Sequence, residues 1–175
     1  MILKNISFAK LVVAIISLFG IAGTAIITTQ VLGVKFSVSM SGDQVAPPTD
    51  TSINGTASFR TTAYDTVIKY KIKIAGSSDV SSADIHLGKK GENGEAVVDL
   101  LKDSKKNGIN LGTSIRGNIT SSDLQGSLKG KLLTDLISAM RSGKTYVNID
   151  TPYHENGEVR GQINVVDKIN STKVK

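Results

Sequence analysis

Ile68-Lys69-Tyr70-Lys71-Ile72-Lys73-Ile74 alternates apolar and cationic side chains without a break. Successive side chains of a β-strand leave opposite faces. Ile68, Tyr70, Ile72 and Ile74 therefore point into a core, while Lys69, Lys71 and Lys73 stand in water. A strand with one wet face belongs to an antiparallel sheet, because parallel sheets are covered on both sides.

The same period of two continues outward from this stretch. Phe36, Val38 and Met40 alternate with Ser37 and Ser39, and Pro47-Pro48 then interrupts the ladder. Further strands are expected over residues 53–62 (INGTASFRTT), 83–87 (ADIHL), 95–101 (EAVVDLL), 114–120 (SIRGNIT), 145–150 (TYVNID) and 158–166 (EVRGQINVV). Gly76-Ser77-Ser78 reads as a turn and residues 88–94 (GKKGENG) as a hairpin connection. One segment has helical spacing: Leu132, Leu133, Leu136, Ile137 and Met140, with Gly143 where a C-terminal cap belongs. Together these describe an all-β fold, an antiparallel Greek-key-like β-sandwich with one short helical crossover.

An N-terminal hydrophobic helix is expected before it. Lys4 and Lys10 precede an uncharged run, strongest over residues 11–27 (LVVAIISLFGIAGTAII), which is near the length that spans a bilayer. The positive charges lie on its N-terminal side, so the chain that follows should face outward. Gly23-Thr24-Ala25 and Val31-Leu32-Gly33 are small-residue patterns that a signal peptidase could cut, so signal peptide and transmembrane anchor both stand. The expected organisation is a signal or anchor at 1–33, one domain at 34–166 and a polar tail at 167–175.

Composition excludes several chemistries. There is no cysteine, which rules out disulfides, thiolate metal sites and thiol nucleophiles. The net charge is +6, and without Lys4 and Lys10 it is +4, from 19 basic and 15 acidic residues. The surplus is spread over strand faces and turns with no Arg-rich helix, so nucleic acid is not an expected partner.

Five blocks in order resemble the chordin-type (CHRD) domain family. They are Phe36-Ser37-Val38-Ser39-Met40-Ser41-Gly42 with Gln44-Val45 and Pro47-Pro48; Gly55-Thr56-Ala57-Ser58-Phe59; Ala83-Asp84-Ile85-His86-Leu87-Gly88 with Gly91 and Gly94; Tyr146-Val147-Asn148-Ile149-Asp150-Thr151; and Gly157-Glu158-Val159-Arg160-Gly161-Gln162-Ile163. The resemblance implies a secreted or membrane-anchored β-domain. Asp84 and Asp150 stand where that family usually carries histidine, and His86 is retained.

Asp84, His86 and Asp150 are the candidate metal ligands, since two carboxylates and an imidazole suit a divalent cation, the one cofactor this set could take. The competing reading is a hydrogen-bonded polar cluster neutralised by Arg160. Glu158 and Arg160 share one strand face and are expected to form a structural ion pair. A His-x-His-like strand before a glycine loop is similar to copper-zinc superoxide dismutases, but that copper site needs several imidazoles and this chain has only His86 and His154. No Gly-x-Ser-x-Gly elbow is present. Asn54, Asn118 and Asn170 head Asn-x-Ser/Thr sequons and are candidate glycosylation sites. The expectation is an exported, non-catalytic binding or structural module of the cell envelope. It would meet the membrane through its N-terminal segment and an extracellular ligand or protein through the domain. The alternative is a metal-dependent enzyme or metal-binding protein centred on Asp84, His86 and Asp150.

Overall fold

A computed structural model describes residues 33–76, 79–102 and 114–166, with the backbones of two dipeptides, Val13–Ala14 and Thr29–Gln30, which pair antiparallel. The expected N-terminal helix, the polar tail and the Asn170 sequon otherwise lie outside the described residues. Among the described residues no helix is long and apolar enough to cross a membrane.

The domain strands are β1 (Lys35–Ser41), β2 (Asn54–Thr61), β3 (Ile68–Ala75), β4 (Ser82–Leu87), β5 (Ala96–Asp99), β6 (Ser114–Ile119), β7 (Thr145–Thr151), β8 (His154–Gln162) and β9 (Asn164–Val165). The sheet runs β5-β4-β7-β8-β1-β2-β3-β6, all antiparallel, with β9 beside β1. It is all-β and antiparallel as expected. In place of two separate sheets, one sheet curls until its edges approach. The Gln125 N–H, just beyond β6, donates to Val97 O of β5 at 3.0 Å. The Tyr70 hydroxyl reaches across the interior to Leu100 O at 2.7 Å. These bonds leave a nearly closed barrel.

Alternation holds along β3: Ile68, Tyr70, Ile72 and Ile74 are buried, and the lysines between them face outward. Phe36, Phe59, Ile85, Ile115 and Val147 meet them from the other strands in a single core. The helix α1 (Leu133–Arg141) contributes Leu133, Leu136, Ile137 and Met140 to that core. Leu132 does not join it: it is 69% exposed and precedes the first turn, where its N–H donates to the Asp135 carboxylate at 3.0 Å. Gly143 ends the helix region at φ +65°, the left-handed conformation expected of it. β5 is shorter than the apolar run suggests: it ends at Asp99, although the Leu100 N–H still donates to Ala83 O of β4 at 2.8 Å and Leu100 and Leu101 remain buried.

Candidate functional site

The outward faces of β4, β7 and β8 carry the polar residues of the family-like blocks, and the register sets them in rows. His86 lies opposite Tyr146, which lies opposite Gln162; Asp84 lies opposite Asn148, which lies opposite Arg160; Ser82 lies opposite Asp150. The loops around residues 45–51 and 88–95 are hydrogen-bonded to this face.

Arg160 is 2% exposed, and loop oxygens surround its guanidinium. It donates to Lys89 O at 3.0 Å, Glu92 O at 2.7 Å and the Asn93 side-chain oxygen at 3.0 Å. Its Cζ sits 3.5 Å from the centroid of the Tyr146 ring. From the neighbouring strand on the other side, His86 stacks on Tyr146 with centroids 5.0 Å apart. A cation over an aromatic face is attracted by the ring quadrupole, more so when water is excluded. Asn93 passes the connection on, donating to Ala46 O at 2.7 Å. Gln162 donates to Gly88 O, Gly143 O and Thr145 O at 2.8–3.0 Å. Gly94 completes the loop by close approach: a Cβ there would stand 1.7 Å from Leu87 O.

The expected Glu158–Arg160 ion pair is not formed. Both side chains leave the same face of β8, but each finds a different loop. Glu158, 3% exposed, accepts from the Thr51 hydroxyl and from the Thr151 hydroxyl at 2.7 Å, with His154 Nε2 at 3.8 Å. Arg160 does not neutralise the aspartates either, since Asn148 separates it from Asp84 in its row.

Asp84 lies between His86 and Asp150 on the outward face and feels both, but the three do not close into a metal-holding cluster. His86 and Asp150 belong to rows two steps apart, about 13 Å of strand, and His86 Nδ1 is engaged with Gly94 O at 2.9 Å. Asp150 accepts from the Ser82 hydroxyl at 2.5 Å and the Asn148 amide at 2.6 Å. No group of three or more histidine, aspartate or glutamate side chains among the described residues could hold a metal ion. Asn54 and Asn118 are exposed on β2 and β6, as sequon asparagines must be.

Burial raises the Asp84 pKa, Ser82 partly offsets this, and repulsion from Asp99 adds to it. Burial also raises that of Asp150, against the Ser82 bond, the His86 field and the Asn148 bond. A carboxyl whose folded pKa is raised binds its proton more tightly folded than unfolded. Stability therefore falls as pH climbs from the ordinary value of 3.8 through the raised one, then levels off. Asp84→Asn removes that loss. The variant should melt above the wild type at neutral pH, with the gain shrinking as pH drops below 3.8. Melting curves across the pH range check this, and a variant that melts lower at neutral pH contradicts it.

Sequence reasoning singled out Arg160 and the glycine loop but missed their contact, and it assigned no role to Asn93, Tyr146 or Gln162. The available signal was the pairing of a buried-strand arginine with a loop rich in free carbonyls.

The family model described as the CHRD domain matches residues 36–163, a span that includes Arg160 and the 88–95 loop it clamps. Among solved structures, a mutant of superoxide dismutase 5 from Candida albicans is 14% identical, with 82% of this chain and 99% of that chain covered at a TM-score of 0.43. No curated protein matches the sequence.

Proposed function

The chain belongs to the CHRD-domain family, and from that premise we propose that it is a non-catalytic binding module displayed outside the membrane by its N-terminal segment. One observation carries the non-catalytic part. The reactive-looking groups of the family blocks are spent on architecture: Arg160 and His86 on the 88–95 loop, Glu158 on Thr51 and Thr151. Side chains held this way fix loops and leave the remaining outer surface for contact with a partner. Export rests on the sequence, with Lys4 and Lys10 ahead of the apolar run and the domain behind it.

When the full chain is expressed in a bacterial host, protease added outside intact spheroplasts should degrade the domain. The same protease should leave a cytoplasmic marker untouched. A domain protected until the membrane is lysed would overturn the exported reading.

A further inference from the structure

The pairing of three strands gathers cations that are scattered in sequence. β2, β3 and β6 align Arg60–Lys69–Asn118, Ser58–Lys71–Arg116 and Thr56–Lys73–Ser114 in successive rows, and Lys35 of β1 extends the first row beside Arg60. These residues face outward because their neighbours fill the core. Rows are about 7 Å apart and strands about 4.8 Å apart, so six positive groups share a face roughly 15 Å on a side. None of the six has an ion-pair partner among the described residues. The outward acids of the strands, Asp84, Asp99, Asp150, Glu155 and Glu158, lie on β4, β5, β7 and β8.

This arrangement works against stability. Lys35–Arg60, Arg60–Lys69 and Lys71–Arg116 are like charges directly opposite each other across strands, which destabilises a sheet. The Lys71 ammonium is pressed below its ordinary pKa by Arg116 first, then by burial and Lys73. Protection of an open edge does not account for it, because edge charges belong on β6, whereas the lysine line runs along β3 between β2 and β6.

We infer that this face binds an extended acidic polysaccharide, with carboxylate or sulfate groups against the lysines and arginines and sugar hydroxyls against the serines, threonine and asparagine between them. Charge complementarity supplies the attraction. The rows hold no aromatic side chain, so base stacking and lipid insertion have nothing to use there. The inference deepens the binding-module reading and rests on it.

The test is binding of the full chain to immobilised polygalacturonate and dextran sulfate at about 0.1 M salt, where contacts beyond about 10 Å are screened. The triple variant Lys69→Ser, Lys71→Ser, Lys73→Ser should bind about tenfold or more weakly. Lys90→Ser, Lys129→Ser, Lys131→Ser removes the same charge from exposed positions elsewhere and should stay within about twofold of wild type. The second triple should keep the wild-type melting point, and the β3 triple should melt at or above it because the repulsion across strands is relieved. Equal losses in the two triples, or wild-type protein that ignores both polymers, overturn the inference. Tighter binding to poly(U) RNA or to phosphatidylglycerol vesicles than to either polysaccharide also overturns it, as does face-dependent self-association without polymer binding. A chain displayed outside the membrane that ignores the polymers defeats the ligand assignment and leaves the exported reading standing.

Discussion

Arg160→Ala should destabilise the domain by about 3–5 kcal/mol, from three hydrogen bonds to a charged group at about 1.5–3 kcal/mol each, less what water recovers. The substitution strips the donor from Lys89 O, Glu92 O and the Asn93 side chain at once, and uncovers the face of Tyr146. The oxygens belong to exposed loop residues, so water recovers part of the loss, and the burial of Arg160 itself sets its size. Arg160→Lys keeps the charge but not the fork that reaches several oxygens, so it should fall between wild type and alanine. Denaturant unfolding gives the magnitude, and hydrogen exchange should show the 88–95 loop opening first. A loss under about 1 kcal/mol, with that loop still protected, would falsify the clamp. Asn93→Ala is the milder control, since Asn93 is exposed and bonds only to Arg160 and Ala46 O.

The strands were legible in the sequence because alternation is enforced at every residue by which face meets the core. IKYKIKI shows this most clearly, and the register places its apolar residues opposite Phe59, Ala57 and Ile115 as a one-sided core requires. Helix boundaries were less legible. Leu132 continues the apolar run, yet it precedes the first turn and points to solvent. The clamp was hidden for a different reason. Glu158 and Arg160 are two residues apart, so pairing them is the natural guess, whereas the true partners of Arg160 are backbone oxygens about seventy residues away. A backbone carbonyl has no residue type and leaves no trace in sequence. The cationic face was hidden likewise: Lys69, Lys71 and Lys73 are adjacent on the page, but Arg60 and Arg116 join them only through strand pairing.

Ile72→Ala should cost about 2–5 kcal/mol, the range for truncating a buried large aliphatic side chain. Ile72 is fully buried, between Ala57 on β2 and Ile115 on β6. Ala57 is too short to fill the gap, and ladders on both sides hold the three backbones in place, so the cavity cannot collapse and the upper part of the range is expected. Lys71→Ala, one residue away, should leave stability nearly unchanged, as at an ordinary surface position. Any shift should lean towards stabilisation, since the change relieves repulsion from Arg116. Matched denaturation curves for the two variants measure the contrast, and equal effects would contradict the two-faced strand. The same contrast is what makes the polysaccharide test readable. β3 carries the core on one side and the cations on the other, so the lysines can be removed without disturbing the packing, and a loss of binding then reports the face itself.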